Sequence, residues 1–481
     1  MKRHHVLSFV LMVLTVGFMA SCATDGFDDE SFSSDVRNTQ LASPVSDEIT
    51  VTPNADGSRQ TIAWPLVKGA RGFEVKILNV NNPEQAVAVV DSIVDGYSVT
   101  IAREEDTNYE LTIRTLANAK LGNSDAQEAT KKSFTTFAES YALIPDGTDL
   151  YQYFLDNPVP GDGGSESEEY IYDLVAGGSY TVSAPIDFNY RKVMIRTSSK
   201  SNYASLTLAE GANFVVSNDF SLNYMNIDCS ATSKPFIELL KYDTDPDDIM
   251  SKPKNYYLIE FVRLMNCKVT GVNGSLVYDN NKSWAVVNFI IKNAMIQMST
   301  TASNIKNESF ISFQGGGVKD FSIVNSTVWQ TGDENSKYFL RYNNSIRIDR
   351  LGWTTSDHTT LTYNHNTFYK VSSGQWANYS GIQNYTVYDL AYNIWYDCAD
   401  GNIARRMMGN GRLGNNGAFN SDYNTYWYNG AVADQANYDT SATQLTSDPA
   451  FVDPANANFT PTGAQQVEWK AGDPRWFATA E

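Results

Sequence analysis

The sequence predicts an all-β protein, with an N-terminal β-sandwich followed by a right-handed parallel β-helix. Three observations predict it. Residues 42–137 alternate apolar and polar in short runs between Gly-rich turns, the pattern of half-buried strands. From Asn226 to Asn424 an Asn preceded by an extended run recurs seven times, with a mean spacing of 33 residues. A period in that range means stacked units. The signatures of leucine-rich, helical and propeller repeats are missing, which leaves short strands winding into a spiral.

The bulk numbers agree. A chain of 481 residues is long enough for two or three domains, and 42% of it is hydrophobic, enough for a large core. Only 19% is charged, and the net charge is −19. That balance excludes a nucleic-acid partner, because phosphate contacts need clustered Lys and Arg.

The first segment is an address. Lys2 and Arg3 precede an apolar run from Val6 to Met19, which is too short to span a bilayer. Ala20 and Ser21 then stand directly before Cys22. This stretch resembles the lipobox of bacterial lipoproteins, which implies a signal peptide over 1–21 and a membrane anchor on an acylated Cys22. Residues 22–41 are acidic and poor in apolar side chains, a flexible tether. Acidic residues just after the lipidated Cys resemble the surface-export signal of lipoproteins from gut-commensal Gram-negative bacteria. Cys229, Cys267 and Cys398 remain, without disulfide or zinc spacing, and read as buried single thiols.

In the sandwich region Trp64 sits in one extended run. Phe73, Val75 and Ile77 alternate in the next, and Tyr109, Leu111 and Ile113 in a later one. The order Trp64, Gly69-Ala70-Arg71-Gly72-Phe73, Tyr109 resembles a fibronectin type III domain over 42–137. That resemblance implies a buried strand tryptophan, a core tyrosine and a spacer or interaction role.

The spiral occupies 138–481. Its repeat centres are Asn226, Asn266, Asn293, Asn325, Asn366, Asn393 and Asn424. Each has an apolar or aromatic residue three positions on: Cys229, Val269, Ile296, Val328, Tyr369, Tyr396 and Trp427. A sharp corner between strands needs a left-handed residue, and Asn tolerates that conformation. The seven are therefore expected in one ladder, coil above coil at ~4.8 Å. Leu143 to Asn157 reads as an amphipathic helix, with Leu150, Tyr153 and Phe154 capping the first coil.

Two further stretches carry a resemblance. "SDPAFVDPANANFTP" (Ser447 to Pro461) resembles the closing segment of pectate-lyase-like β-helices, and "AGDPRW" (Ala471 to Trp476) finishes the chain. The whole order resembles uncharacterised surface lipoproteins of gut-commensal glycan-utilisation systems. That resemblance implies an outer-membrane lipoprotein exposed at the surface, working beside other outer-membrane glycan-uptake proteins.

Chemistry is less legible. Residues 138–481 resemble the pectate-lyase-like β-helix superfamily, whose hydrolases use clustered Asp, but Asn366-Thr367-Phe368 and Asn424-Thr425-Tyr426 carry an aromatic where such an Asp would stand. A polysaccharide lyase needs a basic residue, for which Arg341, Arg347, Arg350, Lys370, Arg405 and Arg406 are candidates. Arg405, Arg406 and Arg412 sit in a Gly- and Asn-rich stretch that could hold a carboxylate or sulfate. Trp353, Trp376 and Tyr369 are candidates for stacking on sugar rings. Asp243, Asp245, Asp247 and Asp248 form an acidic loop able to take Ca²⁺, though it lacks an EF-hand's glycine and distal Glu. His358 and His365 lack a triad pattern. The expectation is polysaccharide binding without a cofactor and without an assigned catalytic residue. The rivals are a uronate-directed lyase and a structural or adhesive surface protein.

Overall fold

The computed structural model describes residues 36–161, 168–243, 257–299, 309–331, 336–342, 359–379, 386–408, 417–433 and 438–477. The chain divides into two compact units, Met1–Ala138 and Glu139–Glu481.

The first unit has two antiparallel sheets. Thr50–Pro53, Arg59–Ala63 and Ser98–Ala102 form one; Val87–Val94, Ala70–Asn79, Asn108–Ala117 and Thr130–Thr135 form the other. The inward positions of both sheets share one core: Ile62, Trp64, Phe73, Val75, Ile77, Ile101, Tyr109, Leu111 and Ile113. Trp64 meets Phe73 edge-on, with ring centroids 5.4 Å apart.

The second unit is a parallel β-helix. Sheet A has ten strands, from Ala142–Ile144 to Ala418–Asp422, and sheet B has ten, from Ser179–Val182 to Ala431–Val432. Sheet C has seven, from Ile186–Asp187 to Gln375–Tyr379. Each full coil visits A, B and C in turn, and its strands pair in parallel with their equivalents one coil before and after, while Ala431–Val432 closes sheet B as an antiparallel hairpin with Thr425–Tyr428. The core is columns of like side chains. One column in sheet A reads Val193, Phe220, Val262, Phe289, Phe321, Leu361, Tyr388 and Phe419. Its Phe289 and Phe321 rings stack at 5.3 Å, only 3° from parallel.

The first coil is capped by the helix Leu150–Asp156, which buries Leu150 and Phe154 and is N-capped by Asp149. The expected helix is shorter than the stretch read for it. Ala142–Ile144, at its start, instead joins sheet A beside Glu169–Leu174. That edge strand supplies backbone partners a helix could not.

The corner between sheets A and B shows why Asn recurs. The left-handed seat is held by Tyr224, Asn266, Asn293, Asn325, His365, Tyr392 and Tyr423, all with φ between 50° and 57°. Asn266 Nδ2 donates to Asn223 Oδ1 at 2.8 Å, Asn293 Nδ2 to Asn266 Oδ1 at 2.9 Å and Asn325 Nδ2 to Asn293 Oδ1 at 3.2 Å. Asn366, Asn393 and Asn424 sit one position further on and are completely buried. They form a second ladder, in which Asn366 Nδ2 donates to Asn393 Oδ1 and Asn393 Nδ2 to Asn424 Oδ1, both at 2.9 Å.

The single column of seven is therefore corrected to two ladders offset by one residue. Asn226 belongs to neither, because Tyr224 holds its corner and Asn226 lies half-buried inside a strand.

Candidate functional site

The offset decides where the aromatics point. A one-residue slip moves every side chain of a strand to its other face. Val269, Ile296 and Val328 point into the core, and their equivalents in later coils are Phe368, Trp395 and Tyr426. Tyr369 and Tyr396 fall instead in the outer column Trp329–Tyr369–Tyr396–Trp427 of sheet B.

That column is not open. The C-terminal segment folds back over it. Phe459 lies 5.6 Å from Trp329 and 5.3 Å from Tyr369, and Phe451 lies 5.5 Å from Tyr396. Gln466 Nε2 donates to Thr425 Oγ1 at 3.0 Å, and Gly472 N to Tyr392 O at 2.7 Å. Asp473 accepts from Thr327 Oγ1 at 2.8 Å and from the Arg475 guanidinium at 2.6 Å. Trp476 Nε1 donates to Thr327 Oγ1 at 2.8 Å. The terminal motif Ala471–Trp476 is thus a clasp on sheet B. Burial pushes the Asp473 carboxyl above its ordinary range, against the lowering effect of Arg475.

Tyr369 as a sugar platform is accordingly corrected, because the clasp aromatics occupy its surroundings. Trp376 is corrected too. It is fully buried and stacked on Phe339 at 4.1 Å, with Phe368 and Trp395 around it. Trp353, Arg412, Arg347, Arg350, His358 and Asp245, Asp247 and Asp248 lie outside the described residues. Arg405 is exposed on the short helix Ala404–Met408. Arg406, one residue on, donates through Nε to Ala377 O at 2.7 Å and through Nη2 to Asn378 Oδ1 at 3.3 Å. Those two bonds place it at the last strand of sheet C.

Sheet C carries a largely polar outer column. Its outer positions pair in register as Asp187, Val215, Glu238, Tyr278, Ser312, Arg341 and Asn378. The intervening positions belong to the core: Phe214, Ile237, Val277, Ile311, Leu340 and Ala377.

Neighbours hold the column in place. Glu238 accepts Asn213 Nδ2 at 2.8 Å and Asn280 Nδ2 at 2.7 Å, one on each carboxylate oxygen. Gln314 Nε2 donates to Ser312 Oγ at 3.2 Å. Asp279, next to Tyr278, is buried and accepts Gly315 N and Gly316 N, both at 2.7 Å. A Cβ on Gly316 would stand 2.0 Å from Trp284 O, so only glycine fits that turn. Burial pushes the Asp279 carboxyl up, and its backbone donors pull it down. One strip therefore presents a carboxylate, a phenol, a guanidinium and an amide, with Ser312 buried between the phenol and the guanidinium and Arg406 beside the amide.

The sequence carried this signal in "FIEL", "SLVY", "FISF" and "YFLRY", the second runs of four coils. Aligning them on their core residues puts Glu238, Tyr278, Ser312 and Arg341 in one line.

Sheet A has buried charge of another kind near its first coils. Arg196 pairs with Asp173 at 2.8 Å, Arg263 with Glu169 at 3.0 Å and Lys192 with Asp219 at 3.6 Å. Each cation faces a carboxylate, and Asp219 also accepts the backbone N–H of Glu260 and Phe261. Burial raises Glu169, and Arg263 opposes that. Each of these cations is thus paired within the sheet. Among the described residues, no group of three His, Cys, Asp or Glu side chains is placed to hold a metal ion. The free thiols Cys229, Cys267 and Cys398 are buried, and burial pushes Cys267 and Cys398 up to about 12. They are inert at neutral pH.

Comparison with known proteins gives families without an assigned function. Residues 1–177 match DUF4992, described as a domain of unknown function, and residues 178–331 match a domain of unknown function, DUF4957. No curated protein matches the chain. Among solved structures, a β-1,2-glucanase from Parabacteroides distasonis is 15% identical over 21% of this chain and 13% of its own, with a TM-score of 0.15. Pectate lyase Pel3 from Pectobacterium carotovorum is 9% identical over 61% of this chain and 79% of its own, with a TM-score of 0.14. Pectate lyase PelI from Erwinia chrysanthemi, solved with tetragalacturonic acid, is 11% identical over 72% and 79%, with a TM-score of 0.14. At these scores the fold rests on the strand pairing itself.

Proposed function

We propose that this protein is a lipid-anchored surface lipoprotein that binds a polysaccharide along the outer face of sheet C, as an accessory to glycan utilisation. The observation that carries the reading is the register of Glu238, Tyr278, Ser312, Arg341 and Asn378. Successive coils repeat at ~4.8 Å, so an extended sugar chain passes Glu238, Tyr278, Arg341 and Asn378 in turn. Glu238 accepts hydroxyl protons, and Arg341 and Arg406 supply donors for a carboxylate or sulfate.

Cys22 anchors the chain, and residues 22–41 tether it. The two antiparallel sheets of the first unit act as a fibronectin type III-like spacer. Their strand order supports that reading, with Trp64 and Tyr109 in the shared core. The β-helix winds right-handed, the hand that parallel crossovers take.

The enzyme reading is a uronate lyase with Arg341 as the basic group. The experiment is incubation of the full-length lipoprotein, in detergent, with polygalacturonate, alginate, glycosaminoglycans and neutral glycans, followed for retention and for ultraviolet absorbance. Retention without an unsaturated-uronate band supports binding. A rising band replaces binding with catalysis. Absence of both leaves the structural or adhesive reading and overturns the proposal.

A further inference from the structure

A different flank of the helix carries a pit with different chemistry. The last three strands of sheet A, Thr359–Asn364, Thr386–Ala391 and Ala418–Asp422, pair in register. On their outer face one column reads Asn364–Ala391–Asp422 and the next Thr362–Asp389–Asn420. Ala391 is short and stands between two longer side chains. The result is a cavity of about 610 Å³ whose lining includes Thr362, Asn364, Asp389, Ala391, Asn420 and Asp422.

The polar groups around it are already oriented. Asn420 Nδ2 donates to Asp389 Oδ1 at 2.8 Å. Thr443 Oγ1 donates to Asp422 Oδ1, and His365 Nδ1 bonds Asn364 Oδ1. Each bond fixes one end of a side chain. Asp389 Oδ2, Asp422 Oδ2, Asn364 Nδ2 and Thr362 Oγ1 are left without a partner among the described residues. His365, Tyr392 and Tyr423 follow this column at the corner as a stack, with ring centroids 4.5 Å and 5.1 Å apart.

We infer that this pit binds an uncharged sugar residue. Carboxylate oxygens accept hydroxyl protons strongly, the amide and hydroxyl complement them, and the Ala391 methyl meets the C–H face of a pyranose. The lining holds two carboxylates and no Lys or Arg, so uronates and sulfated sugars are repelled. The Asn364 amide donor disfavours a bare cation. This site is independent of the sheet C reading, because it shares no residue with that column.

The test is calorimetric titration of the full-length lipoprotein in detergent with neutral gluco-, manno-, xylo- and galacto-oligosaccharides, with polygalacturonate and with Ca²⁺ alone. The variants are Ala391→Trp, which fills the pit from the solvent side, Asp389→Ala, and Arg341→Ala on sheet C. The inference expects at least one neutral oligosaccharide to bind, and Ala391→Trp and Asp389→Ala to weaken it roughly tenfold or more. Ser205→Ala with Thr207→Ala, on sheet B outside both proposed sites, leaves that binding unchanged. Thermal unfolding of each variant separates lost binding from lost fold. The inference is overturned if no neutral oligosaccharide binds, if binding survives Ala391→Trp, or if only Ca²⁺ binds. Polygalacturonate retention lost with Arg341→Ala reports on sheet C alone, so the two readings fail separately.

Discussion

Asn393 makes four hydrogen bonds with one carboxamide. Its Nδ2 donates to Tyr363 O and Asn424 Oδ1, and its Oδ1 accepts the backbone N–H and Nδ2 of Asn366. All of these groups are buried, so Asn393→Ala leaves several unsatisfied at about 1–3 kcal/mol each. The expected loss in chemical denaturation is about 3–5 kcal/mol. Asn293→Ala, at an outer left-handed corner, costs roughly 1–2 kcal/mol from backbone conformation. Asn226→Ala, off both ladders, stays within about 0.5 kcal/mol.

His365 gives the residue scale a pH dependence. Burial, with its ring stacked on Tyr392, lowers its pKa below the ordinary imidazole value of 6.5. The unfolded chain therefore binds the proton more readily. Stability contributed by neutral His365 is complete above 6.5, falls as pH drops towards the lowered folded value, and levels off below it. A shallow rise of stability with pH across that window is expected in the parent and absent in His365→Gln.

At the scale of elements, the clasp is held by few residues. Asp473→Ala removes the partner of Thr327 and of Arg475. With Trp476→Ala it detaches the segment and uncovers Trp329, Tyr369 and Tyr396. The double variant is expected to lose about 2 kcal/mol or more, to bind a hydrophobic dye and to be cut by protease within 463–477. An unchanged digestion pattern would contradict the clasp.

The sequence shows the elements well and their facing poorly, for a physical reason. The repeat of Asn226 to Asn424 reveals coils, because corner chemistry is local. The one-residue offset between Asn325 and Asn366 is not local. It follows from His365 taking the left-handed seat, and it turns Tyr369 outward. Trp376 was legible as aromatic, but its burial depends on Phe339 and Trp395, which are brought to it only by stacking. The clasp brings Asp473 to Thr327 across 146 residues, a separation no window along the chain spans.

For the whole molecule, location and ligand are separate claims. On the proposed acylation of Cys22, Cys22→Ser is expected to move the protein from the membrane fraction to the soluble fraction without changing its unfolding. The ligand claim rests on the outer column of sheet C, where Glu238, Tyr278, Ser312, Arg341 and Asn378 face one way because their neighbours form the core.

The most direct measurement is the electrophoretic retardation of the full-length protein in gels containing a polysaccharide that retains it. Glu238→Ala with Arg341→Ala is compared with the sheet B pair Ser205→Ala and Thr207→Ala. Loss of retardation only in the sheet C pair, with unfolding unchanged, is the predicted result. Equal retardation of parent and both pairs would contradict it.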